Sequence, residues 1–274
     1  MRSHQRRAEL ISYATVVTAI VFFLFPITWL ALTSLKLPSE LFSLSLPIPP
    51  TLRNYAVVLK TYDMTRFFLN SLIIATTVTT FALLIGVLAA YGFARFRFPL
   101  SLPLLIAILG FRMVPTISLV IPLYLMMSSR GLLDTRAAVI ITELAFTLPL
   151  AVWIMEGFFR SLPREFDEAA LIDGCSRLGA LFRIVLPISA PGIAVTAIFT
   201  FLFSWNDFVL PLILTSTRNA RTLPVALSQM NLLYGIRWDQ MSAASMLYII
   251  PTIVIAVLLQ RHIVRGLTLG AVKG

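Results

Sequence analysis

Charge, cysteine and histidine are all scarce in this chain of 274 residues, and each scarcity excludes a class of protein. Only 12% of the residues are charged, whereas a soluble globular protein carries about 25%, so a water-soluble fold of this length could not cover its surface. Cys175 is the single cysteine, which excludes an intramolecular disulfide framework. His4 and His262 lie at opposite ends with no Cys/His cluster between them, so we expect no metal site in the protein.

Apolar residues, in contrast, make up 58% of the chain and are gathered into six long stretches. A helix needs about 20 apolar residues to cross about 30 Å of hydrocarbon. The pattern therefore predicts an all-α integral membrane protein with six transmembrane helices in one domain, 1–274, and both termini on the same side. The predicted spans are 10–35, 67–94, 100–127, 137–159, 191–216 and 241–260.

The net charge of +10 is distributed between these stretches rather than gathered into one patch. Basic loops orient membrane helices and meet anionic lipid headgroups, so we interpret the charge as a membrane feature and expect no nucleic-acid partner. With the N-terminus inside the cell, twelve basic residues lie inside and nine outside. That difference is a weak indication of orientation.

The segment 160–190 differs from a simple connection between spans because it contains four basic and four acidic residues. Phe166, Ala169 and Ala170 fall at helical spacing, and Gly174 is suited to end a helix because glycine tolerates positive φ. A second stripe follows at helical spacing, formed by Leu178, Leu181, Phe182 and Val185. We therefore predict a helix, a glycine turn and a second helix outside the bilayer. The hairpin could rest on lipid headgroups, but its alanines favour close docking in a groove of a partner.

The same segment carries a long motif that resembles a known family. Glu168-Ala169-Ala170, Asp173-Gly174 and Ile184-Val185-Leu186-Pro187 are similar, in residues and spacing, to the EAA loop of permease subunits in bacterial ABC importers. Other segments resemble the carbohydrate branch of that family, which includes maltose, trehalose and glycerol-phosphate importers. They are Asn70-Ser71-Leu72, 90–95 (AYGFAR), Ile121-Pro122-Leu123-Tyr124, 131–135 (GLLDT), Ser204-Trp205-Asn206-Asp207 and the tail 266–274.

The resemblance implies a function for the hairpin: a cytoplasmic coupling loop that docks on an ATPase. It also implies that both termini are cytoplasmic and that the chain lies in the bacterial plasma membrane. The residues that carry this role by resemblance are Glu165, Phe166, Glu168, Ala169, Ala170, Asp173, Gly174, Ile184, Leu186 and Pro187.

The implied partners are a second homologous permease, a dimer of ABC ATPases, an extracytoplasmic solute-binding protein and membrane lipid. The chain has no phosphate-binding loop, so ATP and Mg²⁺ are expected on the ATPase and no cofactor or catalytic residue in this chain.

Four polar residues inside the predicted spans are candidates for the substrate path, because intramembrane polar groups are costly. They are Arg112 in the third span, Glu143 in the fourth, and Asn206 and Asp207 in the fifth. They could edge a cavity that accepts hydrogen bonds from a solute, or they could bond only to neighbouring helices or to a partner. An ion pair between Arg112 and Glu143 is not preferred, because their depths differ by about 10 Å at 1.5 Å per residue.

The sequence thus predicts the permease subunit of an ATP-driven importer of a carbohydrate or carbohydrate-like solute, working by alternating access. Two alternatives stay open: an ABC permease for a non-sugar solute, and a proton-coupled secondary transporter that uses Glu143 and Asp207. The sequence does not name the solute.

Overall fold

The computed structural model describes residues 2–234 and 237–271, with side chains over 9–230 and 237–258. The regular elements of this part of the chain are helices, which confirms the predicted all-α class. The α-helices are α1 Arg2–Ser34, α2 Arg53–Lys60, α3 Met64–Arg95, α4 Ser101–Phe111, α5 Val120–Ser129, α6 Arg136–Ser161, α7 Glu165–Ile172, α8 Arg177–Ala180, α9 Leu186–Ile188, α10 Ala190–Trp205, α11 Val209–Leu214, α12 Leu223–Tyr234 and α13 Trp238–Ala271. Residues 272–274 of the family-like tail lie outside the described residues.

Helices long and apolar enough to cross a membrane lie close to the predicted spans. Among the described residues there are four, Glu9–Ser34, Met64–Arg95, Arg136–Ser161 and Trp238–Leu258. Two bent helix pairs pass the same test together, Ser101–Phe111 with Thr116–Ser129 and Arg177–Ile188 with Ala190–Trp205. Counting each bent pair as one span gives six, the predicted number, although the second pair begins within the hairpin and only its part Ala190–Trp205 falls in the predicted span 191–216.

The third predicted span, 100–127, is broken into two helical pieces. α4 ends at Phe111, and the chain resumes as a 3-10 turn, Thr116–Leu119, that leads into α5. This second piece, Thr116–Ser129, lies at 89° to α4. Pro115 lies in the gap in an extended conformation (φ −60°, ψ 126°). Because proline has no N–H and disfavours helix in the residue before it, it interrupts the hydrogen-bond ladder here. The break leaves Arg112 at the end of α4.

The fifth predicted span, 191–216, is also broken. α10 ends at Trp205, and α11 begins only at Val209. Between them, Oδ1 of Asp207 accepts a hydrogen bond from the backbone N–H of Val209 at 3.0 Å. A carboxylate that accepts from the first N–H groups of a helix stabilises its start. Asp207 therefore lies just before α11 and holds the N–H of its first residue, and it does not lie in the middle of a straight helix.

The second span begins at Met64, three residues earlier than predicted, so Asn70 and Ser71 lie inside α3. Their side chains hold the chain around residues 218–223. Nδ2 of Asn70 donates to the carbonyl of Arg221 at 2.9 Å, and Oγ of Ser71 accepts from the N–H of Leu223 at 2.8 Å.

The chain divides into two units, Met1–Thr65 with Leu227–Ile250 and Arg66–Ala226 with Pro251–Gly274. In the first, Nδ2 of Asn54 on α2 donates to the carbonyls of Ser34 and Lys36 at 2.9 and 2.8 Å, which ties α2 to the end of α1. In the same unit, Tyr62 donates its hydroxyl hydrogen to Oε1 of Gln240 at 2.9 Å.

The second unit contains every predicted coupling and path residue, and two apolar clusters hold it together. One cluster joins the last turns of α3 and α6 to the segment that follows α8; its buried members are Val87, Ala90, Tyr91, Ala94, Met155, Phe159, Leu181 and Val185. The other joins the opposite parts of α3 and α6 to α11 through Ile74, Val78, Met127, Ala138, Val139, Leu210 and Leu214. The α3–α6 pair is thus a frame with the hairpin at one end.

Candidate coupling hairpin and intramembrane cavity

The predicted helix-glycine-helix arrangement is present between residues 165 and 188. α7 begins with acidic Glu165, Asp167 and Glu168 in its first turn, where negative charge is favoured by the helix dipole. It ends at Ile172, and Gly174 takes φ +82°. The N–H of Cys175 then bonds to the carbonyl of Ala170 at 2.9 Å, which satisfies an end carbonyl of the helix.

The second helix of the hairpin is irregular because of Pro187. α8 covers only Arg177–Ala180, and Leu181–Val185 follows as a wide π turn before α9. Pro187 has no N–H to donate to the carbonyl four residues back, and its ring would collide with that carbonyl in a regular helix. A wider turn relieves the conflict, and such turns are frequent at functional sites. After Ile188 the chain bends by 80° into α10.

Each of the two predicted apolar stripes divides into a buried edge and an exposed edge. On α7, Ala170 is buried together with Asp167, whereas Phe166 and Ala169 are exposed. In the second stripe, Leu181 and Val185 are buried, whereas Leu178 and Phe182 are 60% and 56% exposed. Each helix therefore packs against the protein through one edge of its stripe and exposes the other edge at the surface.

A buried polar contact that the sequence did not reveal anchors α7 to the end of α3. Asp167 accepts a hydrogen bond from the Tyr91 hydroxyl at 2.6 Å and forms an ion pair with Nε of Arg95 at 2.9 Å. Arg95 also donates to the carbonyl of Leu162 at 3.3 Å. The AYGFAR segment and the EAA segment, which are 76 residues apart at Tyr91 and Asp167, are therefore physically joined.

The remaining predicted coupling residues lie mostly at the surface of the second unit. Glu165, Glu168, Asp173 and Pro187 are exposed, and Ile184 and Leu186 are half-buried. Large apolar side chains accompany them, the most open being Ile172 at 86% exposure. Acidic groups interleaved with open apolar side chains have the composition of a docking surface.

The four predicted path residues, which are distant in sequence, line one cavity of about 520 Å³. Arg112 comes from the end of α4, Glu143 from α6, and Asn206 and Asp207 from the break after α10. Phenylalanine rings form much of the rest of the wall, contributed by Phe146, Phe199 and Phe203. The two helix breaks, after α4 and after α10, bring these groups together.

Glu143 is the most buried of the four, with 2% exposure. Its Oε2 accepts a hydrogen bond from the Ser204 hydroxyl, which links α6 to α10. Among the residues that the structure describes, its Oε1 has no hydrogen-bond partner. A buried acceptor without a partner is costly, so this atom is suited to receive a donor from a ligand.

Arg112 does not pair with Glu143 in the described part of the chain, in agreement with the interpretation from depth. Its guanidinium carbon lies 4.3 Å from the ring centre of Phe203, a cation–π contact. Asn206 bonds within its own helix, with Nδ2 donating to the carbonyl of Leu202 at 2.7 Å.

The GLLDT segment between α5 and α6 also has a structural role. Partial burial of the Asp134 carboxyl raises its pKa, but other contacts outweigh this effect. Hydrogen bonds from Thr217 and Ser216 and the positive charge of Arg221 lower the pKa of Asp134 overall. The Thr217 hydroxyl lies 2.5 Å from Oδ2, and the N–H groups of Ser216 and Thr217 each lie 2.9 Å from Oδ1. Asp134 therefore clamps the connection that follows α11.

No group of three or more His, Cys, Asp or Glu side chains is placed to hold a metal ion within the described ranges. The cavity offers hydrogen bonds, charge and aromatic faces, which suit a polar organic solute.

Comparisons with known proteins place the chain in a family. Residues 82–269 match the family described as binding-protein-dependent transport system inner membrane component. The chain is 38% identical over 278 residues to the trehalose/maltose transport system permease protein MalG of Thermococcus litoralis, with 100% of both chains covered. It is 36% identical over 268 residues to the trehalose transport system permease protein SugB of Mycobacterium tuberculosis, covering 96% of this chain and 97% of SugB.

A solved structure shares the fold. It is the crystal structure of a bacterial ABC transporter involved in the import of the acidic polysaccharide alginate, and one of its chains aligns with a TM-score of 0.80 at 21% identity. The alignment covers 93% of this chain and 96% of that one. With a family match over most of the chain and close relatives along its full length, this protein belongs to the family of inner-membrane permease components of binding-protein-dependent transport systems.

Proposed function

We propose that this chain is the permease subunit of an ATP-driven importer for a carbohydrate or carbohydrate-like solute. The observation that carries the proposal is similarity along nearly the whole chain to permeases that are named for trehalose, maltose and sulfoquinovosyl glycerol transport. The cavity supports it, because a sugar presents hydroxyl donors and apolar C–H faces, and the cavity wall offers acceptors and phenylalanine rings.

In this proposal the chain forms half of a translocation path by alternating access, and a second, homologous permease forms the other half. An extracytoplasmic binding protein delivers the solute. A dimer of ATPases binds ATP and Mg²⁺ and performs the hydrolysis, so this chain is not catalytic. One transmembrane domain spans the bacterial plasma membrane with both termini in the cytoplasm.

Coupling is assigned to the exposed edge of the hairpin. Phe166, Glu168 and Ala169 face outward from α7, and a groove of the ATPase would cover them. Asp167 fixes the opposite side of α7 to α3. A movement of the ATPase would therefore pass through α7 into the α3–α6 frame.

The coupling assignment predicts that Glu168→Arg abolishes uptake driven by ATP. The solute is first selected by a thermal-shift screen of carbohydrates on the cognate binding protein, and its uptake is then measured in proteoliposomes with ATP inside. We expect uptake to fall by at least about tenfold, because a reversed charge at a docked surface costs several kcal/mol.

The matched control is Glu9→Arg, the same charge reversal at an exposed position of α1, which is expected to leave uptake unchanged. Normal uptake and normal recruitment of the ATPase by the Glu168→Arg variant would contradict the coupling role. Uptake that an uncoupler abolishes at clamped ATP would instead favour a proton-coupled transporter, and a screen that finds only a non-sugar ligand would contradict the carbohydrate class.

The path assignment predicts a different result for Glu143→Gln. This change keeps size and can keep the bond to Ser204 but removes the negative acceptor, so the KM for uptake should rise about tenfold, the equivalent of about 1.4 kcal/mol. Glu156→Gln is the control, since Glu156 is buried on the same helix but does not line the cavity. An unchanged KM for Glu143→Gln would show that Glu143 only joins the two helices.

A further inference from the structure

A second cavity, distinct from the one with Glu143, lies where α3 ends. Its volume is about 530 Å³, and its wall comes from the connection 93–101 between α3 and α4 and from residues 160–164 before α7. Four arginines line it, Arg95, Arg97, Arg160 and Arg164, with no aspartate or glutamate in the wall. It is therefore a positively charged recess.

Two of these four charges are already compensated. Arg95 pairs with Asp167, and Arg160 pairs with Glu156 one helical turn before it. Arg97 and Arg164 are exposed and make no ion pair with any residue that the structure describes. The recess thus holds two guanidinium groups available for an anion, and guanidinium groups bind phosphate oxygens in a fork geometry.

The position of the recess indicates where that anion comes from. The apolar span of α3 ends at Arg95, and the span of α6 ends at Ser161, so the recess lies at the end of two membrane helices. Phe93, Phe96 and Phe98 line it, and the rings of Phe93 and Phe98 are 5.8 Å apart. Phenylalanine rings are apolar, and arginine side chains bury their stems along apolar surface while their charged heads stay in water, so the combination suits the boundary between the acyl chains and the headgroups of a bilayer.

We propose that this recess binds the phosphate of an anionic membrane phospholipid, with Arg97 and Arg164 as its ligands and the phenylalanine rings against the upper part of the acyl chains. A free phosphate ion would share the guanidinium contacts but would gain nothing from the rings. A surface for another protein subunit would have to cover the same arginines.

The importer complex that contains this chain is reconstituted in nanodiscs of phosphatidylglycerol and phosphatidylcholine, and retained lipid is measured by native mass spectrometry. The wild type should retain phosphatidylglycerol in preference to phosphatidylcholine. The double variant Arg97→Gln/Arg164→Gln should lose that preference by about tenfold, because two charge-assisted contacts to phosphate disappear. Arg97→Lys/Arg164→Lys should keep part of it, since the charge remains and the fork is lost.

Arg130→Gln/Arg218→Gln is the matched control, two exposed arginines in the connections that follow α5 and α11, and it should bind lipid like the wild type. An unchanged lipid preference in the Arg97→Gln/Arg164→Gln protein would overturn the proposal. So would a wild type that binds inorganic phosphate in detergent but retains no phosphatidylglycerol, which would assign the recess to a soluble ion. Photocrosslinking from p-benzoylphenylalanine at position 98 should reach lipid, and a crosslink to the ATPase instead would assign the recess to a protein partner.

Discussion

At the scale of single residues, the most informative side chain is Asp167. Its place in the first turn of α7 predicts only a favourable charge near the helix dipole. In the structure its carboxylate also holds the Arg95 guanidinium and the Tyr91 hydroxyl, and both charged side chains are nearly enclosed, with exposures of 5% and 10%. The sequence of residues 160–190 does not predict this contact, because the two partners of Asp167 belong to α3, which is distant in sequence.

This contact predicts that Asp167→Asn destabilises the protein and weakens coupling. The change keeps the hydrogen bond from Tyr91 but leaves Arg95 buried without a counter-charge, at a cost of up to about 3–5 kcal/mol. The expected result is a lower unfolding temperature of the purified complex and ATPase activity that no longer depends on solute. Glu9→Gln, which neutralises an exposed carboxylate on α1 outside the hairpin, should change neither.

A double variant tests whether the loss of stability comes from the unpaired charge of Arg95. Replacing both partners, Arg95→Met with Asp167→Leu, removes the buried charges together, so stability should return toward that of the wild type. If Asp167→Asn unfolds at the wild-type temperature, the ion pair is not an anchor.

At the scale of elements, two prolines interrupt regular helix in the second unit. Pro115 interrupts the third span, and Pro187 widens the turn before α10. Pro115 indicates an interruption of 100–127, but the sequence does not give the 89° angle of the bend, because hydropathy reports burial in lipid and contains no backbone direction. The breaks place polar Arg112 and Asp207 at helix ends, where side chains from different helices can meet in a cavity.

Close packing between α3 and α6 is the second feature at this scale, and it depends on Gly86. A Cβ built at Gly86 would lie 2.8 Å from the Cβ of Ala151 and 3.4 Å from its carbonyl carbon. Two helices that approach this closely leave no room for a methyl group, and small residues at such contacts are typical of membrane helix pairs.

The packing predicts opposite effects for two alanine substitutions in the same helix. Gly86→Ala should lower the free energy of unfolding by about 1–3 kcal/mol, because overpacking forces the helices apart. Gly92→Ala, where no atom lies within 4 Å of the added methyl, should be neutral or stabilise by up to about 1 kcal/mol through helix propensity. Thermal unfolding of the purified complex measures both.

Ala151→Gly tests the cause directly, since it removes the methyl group that Gly86→Ala would strike. The double variant Gly86→Ala/Ala151→Gly should recover much of the lost stability. Additive destabilisation in the double variant would show that the contact between α3 and α6 is not the reason.

At the scale of the whole molecule, orientation in the membrane is only weakly supported by charge. With the N-terminus inside, twelve basic residues lie inside and nine outside. The proposal that the hairpin is cytoplasmic rests on its resemblance to the EAA loop and on its open, acidic and apolar surface. Cys175 lies directly after Gly174 in this hairpin and is the single cysteine of the chain, so the protein carries its own reporter of sidedness.

Labelling with a membrane-impermeant maleimide should therefore modify Cys175 in inside-out vesicles and leave it unmodified in intact spheroplasts. Cys175 is half-buried, so the reaction is expected to be slower than that of an open thiol but measurable. Cys175→Ser/Arg130→Cys, which moves the thiol to an exposed site on the opposite side, should show the reverse pattern. Labelling of wild-type Cys175 from outside the cell would invert the proposed topology.

Much of this protein is determined by its sequence alone. Scarce charge and six apolar stretches dictate an all-α membrane fold, because only helices satisfy their own backbone hydrogen bonds in lipid. The hairpin and its stop at Gly174 follow from local spacing and from the positive φ that glycine tolerates. The EAA motif indicates the family, because residue types at fixed distances can be recognised in the sequence without any knowledge of contacts.

Only the tertiary structure decided which groups meet. The sequence named Arg112, Glu143, Asn206 and Asp207 as separate candidates, and the broken helices bring them to one cavity. The sequence predicted the hairpin, but only the structure shows how it is held, through the hydrogen bond of Asp167 with Tyr91 and its ion pair with Arg95. The physical reason is the same in both cases. Periodicity and hydropathy describe one helix and whether its faces are buried, whereas a contact between helices depends on how they bend and how closely they approach. Neither periodicity nor hydropathy contains that information.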